Sequence, residues 1–216
     1  MPEDRKFKYS LFVLILFHLV GMVGIVSPYQ SFFVLLTPFN LVLSATLLYL
    51  NHKPVSARLL YFLIFTFSLG FLVEGLGVNY GFMFGDYSYG RILGYQLWNV
   101  PVIISLNWTL IIYSVAILLD RFDFPVLVKI IAGSCLAVFL DGLMEPVAVR
   151  LDFWSWHEGD IPLQNYLGWF LTSIMMLAAY YLLKVKAKNN LALPFYFIQA
   201  AFFGSLQLLF RIHRWE

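Results

Sequence analysis

Long apolar runs separated by short polar stretches make up most of the chain. A helix that crosses a bilayer needs about 20 mostly apolar residues. Seven runs meet that length with charges held to their ends: Tyr9–Val26, Phe32–Leu50, Ala57–Leu76, Ile92–Leu119, Phe124–Pro146, Leu163–Leu183 and Leu191–Phe210. The pattern predicts an all-α, polytopic integral membrane helix bundle of about seven transmembrane helices, forming a single transmembrane domain over residues 1–216. Arg5, Lys6 and Lys8 precede the first run as they would in a signal peptide, but no small-x-small cleavage site follows. The first run is therefore counted as a helix. No long linker, low-complexity tract or internal repeat interrupts the series.

Composition supports this reading. Of 216 residues, 61% are hydrophobic and 12% charged, against about 45–50% and about 25% in soluble domains. A soluble globule, a disordered segment, a coiled coil and a disulfide scaffold are excluded. A net charge of +2 leaves no basic face to neutralise phosphates, so nucleic acid is not an expected partner. Arg5, Lys6, Lys8, Lys53, Arg58, Arg121, Lys129, Lys184, Lys186 and Lys188 fall on the side of the N-terminus. Only Arg91, Arg150, Arg211 and Arg214 fall on the other. The positive-inside rule then places the N-terminus in the cytoplasm. Cys135 stands alone in the fifth run and is read as a small buried apolar side chain.

Ionisable residues inside hydrocarbon are costly and mark candidate sites. Glu74 lies near the outer end of the third run, and Asp141 and Glu145 near the outer end of the fifth. Four residues apart, Asp141 and Glu145 share a helix face about 6 Å apart along the axis. Both runs point outward, so all three carboxyls fall in one layer beneath the outer surface. His18, Asn40, Asn107 and Gln207 join that layer from four other runs, while the cytoplasmic half is nearly bare of such groups. Residues of this kind also serve as interfacial groups or interhelical hydrogen bonders.

Two outer loops stand apart. Residues 74–90 hold five glycines and three tyrosines, the composition of a tight folded loop walled by Tyr87 and Tyr89. Residues 141–156 end in Trp154-Ser-Trp156, with Pro146 expected to mark the helix end. Trp98, Trp154, Trp156 and Trp169 gather at the outer interface and none at the inner. A neutral aromatic belt would serve both faces, so the asymmetry favours a site.

His18, His52, His157 and His213 have no metal-ligand spacing, and the seventh run has no lysine for a retinal Schiff base. Asp120-Arg-Phe-Asp123 is single and reads as a solvated turn, not half of a diphosphate–Mg²⁺ site. No glycine-rich strand-to-helix junction supports a nucleotide cofactor. What remains is buried carboxyls beside electron-rich rings in an apolar chamber. A carboxyl taken out of water favours its neutral form and can act as a general acid, and aromatic faces stabilise a cation by about 2 kcal/mol each when desolvated. The pair suits protonation of an alkene to a tertiary carbocation and its capture by water, on a lipid-soluble isoprenoid.

The motifs themselves are similar to a known family. Glu74-x-x-Gly77-x-x-x-Gly81-x-x-Phe84-Gly85-x-Tyr87-x-Tyr89, then Leu93-Gly94, Val100-Pro101-Val102 and Asn107-Trp108, resemble signatures of the carotenoid biosynthesis membrane-protein family. So do Asp141-Gly-Leu-Met-Glu145-Pro146-x-Ala148, Trp154-x-Trp156 and Ile161-Pro162-Leu163-x-Asn165-Tyr166-x-Gly168-Trp169. The resemblance covers about residues 70–170. It departs at Asn79-Tyr80, where a small hydroxyl residue before the glycine is expected.

The resemblance implies a cofactor-independent carotenoid 1,2-hydratase. Such an enzyme adds water across the terminal C1–C2 double bond of an acyclic ψ-end to give a 1-hydroxy carotenoid, with no metal. Asp141 or Glu145 would donate the proton, and its neighbour or Glu74 would activate water. Tyr87, Tyr89, Asp86, Trp108, Trp154, Trp156 and Trp169 would bind the end group, and Asn107, Asn165 and Arg150 would orient carboxyls or water. Partners would be the acyclic carotenoid, water and the lipid bilayer, with association with other carotenoid-pathway enzymes a further expectation. The protein would sit in the cell membrane with its site toward the outer leaflet. The rivals are an end-group cyclase, in which an internal double bond traps the same cation, and a non-enzymatic carotenoid- or lipid-binding or transport protein.

Overall fold

The structure, a computed structural model, describes residues 3–212, so His213 and Arg214 lie outside the described residues. The chain order is α1 (Glu3–Ile25), α2 (Gln30–Leu35), α3 (Thr37–Leu50), α4 (Ala57–Tyr80), β1 (Tyr87–Tyr89), β2 (Gln96–Leu97), β3 (Val100–Pro101), α5 (Val102–Leu119), α6 (Val126–Arg150), β4 (Trp154–Trp156), α7 (Leu163–Leu182) and α8 (Ala192–Ile212). Five helices, α1, α4, α5, α6 and α8, are long and apolar enough to cross a membrane. α7 has the length, but Gln164, Asn165 and its tyrosines lower its apolarity. The expected second run is broken at Leu36 into α2 and α3, because Pro38 in the first turn of α3 has no N–H to continue the ladder.

α5 is the central post. It packs against α3, α4, α6, α7 and α8, and every residue from Trp108 to Leu119 is buried. The other helices carry rows of exposed side chains such as Phe12, Val23, Phe39, Tyr61, Phe139 and Leu208. An apolar exterior around a polar-containing interior is the arrangement that suits lipid as the solvent.

Three expected boundaries move. The fourth run does not begin as helix at Ile92. Residues 96–101 form the β2–β3 hairpin, whose two tip residues Trp98 (φ 52°) and Asn99 (φ 62°) both have positive φ. That is the backbone twist a two-residue hairpin turn requires. The third run extends to Tyr80, where Gly81 takes a left-handed cap (φ 63°) and donates its N–H to the Gly77 carbonyl at 2.8 Å.

Pro146 does not end α6, which continues to Arg150. A proline inside a helix frees the carbonyl four residues earlier, here that of Gly142. The Gln207 amide of α8 reaches across to donate to the Gly142 carbonyl at 3.3 Å and to that of Leu143 at 2.8 Å. The unpaired backbone that would break the helix in lipid is thereby satisfied from a neighbour. Cys135, expected to be buried, is exposed on α6.

At the end of the bundle carrying residues 81–101 and 151–162, two segments far apart in sequence pair as strands. β1 and β4 run antiparallel with Tyr87 opposite Trp156, Ser88 opposite Ser155 and Tyr89 opposite Trp154. Gly90 permits the approach, since a Cβ there would lie 2.0 Å from the Asp152 carbonyl oxygen. The other end is tied by the His52–Tyr113–Asn189 hydrogen-bond chain, in which His52 and Asn189 flank helix ends and Tyr113 lies within α5, so it too holds polar side chains.

Candidate active site

Side chains alternate along a strand, so Tyr87 and Tyr89 of β1 and Trp154 and Trp156 of β4 all project to one face of the two-stranded ribbon. That face lies over the ends of α4 and α6, and each strand serves one carboxyl. Glu74 Oε2 accepts from Tyr87 Oη at 2.5 Å and Tyr89 Oη at 2.6 Å, and Glu74 Oε1 accepts from Trp108 Nε1 at 2.7 Å. Glu145 Oε2 accepts from Trp154 Nε1 at 3.0 Å and Trp156 Nε1 at 2.9 Å. The two halves meet where the Tyr87 and Trp156 rings lie 5.0 Å apart. The intervening Ser88 and Ser155 face away, with hydroxyls 3.3 Å apart.

The third carboxyl differs. Asp141 is fully buried, one turn before Glu145 on the same face of α6. Its Oδ2 accepts from the Asn165 amide at 2.9 Å, and the same amide nitrogen donates to Glu145 Oε1 at 3.1 Å. Asp141 Oδ1 has no hydrogen-bond partner among the described residues. Glu74 and Glu145 thus each accept three donors, the full dress of a buried anion. Asp141 accepts one and keeps an oxygen free, the arrangement that suits a carboxyl carrying its own hydrogen. Burial, with the Glu74 carboxylate beside them, holds the Tyr87 and Tyr89 phenols well above their usual range, so both remain O–H donors.

Trp169 of α7 stacks on Trp108 with centroids 3.7 Å apart, and Trp108 is itself fully buried. The candidates Glu74, Tyr87, Tyr89, Trp108, Asp141, Glu145, Trp154, Trp156, Asn165 and Trp169 therefore form one assembly. Three others lie outside it. Arg150 is nine residues past Asp141 and so on the opposite side of a 3.6-residue helix. It donates to the Phe210 carbonyl at 3.2 Å and lies 4.5 Å over the Phe210 ring. Asp86 is on the outward side of β1 and exposed, 4.0 Å from His157 Nδ1. Asn107 lines a separate cavity beside the site.

That cavity, of about 220 Å³, lies among α1, α2, α3, α5, α6 and α8. His18 and Gln199 stand in its wall. His18 Nδ1 lies 2.7 Å from the Leu14 carbonyl and carries the hydrogen, leaving Nε2 to accept from the Gln199 amide at 3.1 Å. Gln199 lies in the last apolar run, as Gln207 does, but nothing in the sequence marks it as the partner of His18. Asn79, the departure from the motif, latches the β2–β3 hairpin. It donates to the Gly75 and Trp98 carbonyls at 2.8 and 3.0 Å and accepts from Asn99 at 2.8 Å. Asp120 of the expected solvated turn accepts from Tyr180 at 2.7 Å and faces Lys129 at 3.5 Å.

A family model described as carotenoid biosynthesis protein matches residues 31–214. The chain is similar to the bisanhydrobacterioruberin hydratase of Haloarcula japonica, at 29% identity over 111 residues. The aligned stretch covers 46% of this chain and 37% of that protein. No solved structure matches.

Proposed function

The chain belongs to the carotenoid biosynthesis protein family, and from that premise we propose that it is a carotenoid hydratase adding water across the terminal C1–C2 double bond of an acyclic ψ-end. The hydrogen-bond asymmetry of the three carboxyls is the observation that carries this reading. Asp141, with one donor and one free oxygen, is the acid, and Glu145 and Glu74, with three donors each, are anions.

Asp141 gives its proton to C2, and the π electrons form the new C–H bond, leaving a tertiary cation at C1. The Glu145 carboxylate and the indole faces of Trp154 and Trp156 offset that charge. A water oxygen bonds to C1, and Glu145 takes the proton it releases. Return of that proton to Asp141, one turn away, closes the cycle with no electron transferred. Glu74 holds Tyr87, Tyr89 and Trp108 in place and so shapes the chamber; in this scheme it does not exchange a proton.

We read α2 and α3 together as one pass and α7 as another, giving seven passes in a single domain. The cation distribution then supports a cytoplasmic N-terminus and a site beneath the outer leaflet. Expression in a lycopene-accumulating host, with chromatography and mass analysis of the pigments, tests the function. The expected product is heavier by one water. A cyclised product of unchanged mass would identify a cyclase, and unaltered pigment bound tightly would identify a carrier; either refutes hydration.

A further inference from the structure

The cavity beside the carboxyls has a wall in common with them. Trp154 lines it with its ring while its indole N–H donates to Glu145 at 3.0 Å. Met144 and Ala148, which share the α6 face of Asp141 and Glu145, line it as well. No Lys, Arg, Asp or Glu is among its lining residues. Of its polar members, His18 and Gln199 satisfy each other and the Leu14 carbonyl. Thr37, Asn40 and Asn107 also line it, and Asn40 Oδ1 has no hydrogen-bond partner among the described residues. With no charged side chain to pair with a phosphate or an ion, this mostly apolar wall with a few neutral polar groups suits a hydrocarbon.

On the lipid side, Phe17 of α1 and Phe39 of α3 both line the cavity and are both exposed, with ring centroids 6.0 Å apart. Gly21 of α1 lines it one turn further along the helix, and a Cβ there would make only ordinary contact with Phe202, at 3.9 Å.

We propose that this cavity holds the end portion of the substrate's polyene chain, which enters sideways from the bilayer between α1 and α3 past Phe17 and Phe39 with the rest of the chain remaining in lipid, so that its terminal isoprenoid unit reaches Asp141 and Glu145 beside Trp154. The proposal rests on the hydratase reading for the identity of the occupant. It adds the place of binding, the direction of entry and α1 as the element that selects for a linear apolar chain. Entry from lipid also spares an insoluble substrate any passage through water, while the ribbon of β1 and β4 closes the other side of the site.

The test uses full-length protein in lipid nanodiscs with lycopene as the probe. Lycopene is achiral, so the induced circular dichroism of its visible band reports binding in a chiral site independently of turnover. Gly21→Leu would fill the cavity without touching a carboxyl, and Gly21→Ala would place a methyl group in ordinary contact. Ser68→Leu would fill the second cavity, of about 380 Å³, between α3, α4 and α5.

Wild type and Ser68→Leu are expected to show the induced band, and Gly21→Ala a smaller loss of it than Gly21→Leu. Gly21→Leu is expected to weaken the apparent Kd at least tenfold, and KM alongside it, with a smaller change in kcat. An unchanged band in Gly21→Leu, or its loss in Ser68→Leu instead, would overturn the proposal. A band that Gly21→Leu abolishes, in a wild type that converts no polyene, would refute hydration and leave the cavity assignment standing. Conversion by wild type that Gly21→Leu leaves untouched would do the reverse.

Discussion

Asp141→Asn separates the chemical role of this carboxyl from its structural one. The substitution is close to isosteric, and the new amide oxygen can take the place of Oδ2 and accept from Asn165 at 2.9 Å as before. The amide nitrogen then occupies the position of Oδ1, which has no partner among the described residues. A buried donor left unpaired costs about 1–3 kcal/mol, but the O–H of the protonated wild-type carboxyl already stands unpaired there, so the variant should fold with an unfolding midpoint close to that of wild type. Its chemistry should suffer more. General acid catalysis contributes about 10²–10⁴-fold, equivalent to about 2.7–5.4 kcal/mol of barrier at about 1.36 kcal/mol per decade.

The expected result is therefore a fall in kcat of at least about a hundredfold, with lycopene binding retained. The assay follows hydroxylated product by chromatography on nanodisc protein, beside thermal unfolding by intrinsic fluorescence. A solvent deuterium isotope effect on wild-type turnover should accompany proton transfer to carbon. A variant that folds and keeps kcat within threefold of wild type would refute the assignment of Asp141 as the acid, whatever becomes of the overall function.

Three further outcomes are expected. Gln207→Leu should destabilise the protein by about 1–3 kcal/mol, because the Gly142 carbonyl freed by Pro146 loses its donor; Pro146→Ala should restore most of the loss, and additive effects in the double-mutant cycle would contradict the coupling. Trp108→Phe removes one of the three donors to Glu74 while retaining a ring against Trp169, and should cost about 1.5–3 kcal/mol, the range for a hydrogen bond to a charged group; an unchanged unfolding midpoint would show that Glu74 does not depend on that contact. Asp86→Cys in a Cys135→Ser background places a thiol on the exposed side of β1, and a membrane-impermeant maleimide should label it in intact cells. Labelling seen only in inside-out vesicles would reverse the proposed orientation.

Bilayer residence follows from amino-acid order alone, because runs of about 20 apolar residues have few other uses. The candidacy of Glu74, Asp141 and Glu145 does too, since ionisable groups within such runs must have a reason to be there. Even the common face of Asp141 and Glu145 follows from helical spacing. The identity of each carboxyl's partners does not. Tyr87 and Trp156 are far apart in the chain, and only the pairing of β1 with β4 turns one strand's phenols onto Glu74 and the other's indoles onto Glu145.

Asn165 became the bridge between Asp141 and Glu145 because α7 packs on α6 at that height. Arg150, much closer in sequence, turned to α8 because a helix places it on the other side. Pro146 misled as a helix end for a related reason: the donor that repairs its helix comes from Gln207, on another element. Sequence determined which residues are too polar for their surroundings. Tertiary structure decided which of them are fully paired and which, like Asp141, keep an oxygen free, because in a low-dielectric interior the partner that satisfies a buried group is set by packing and not by distance along the chain.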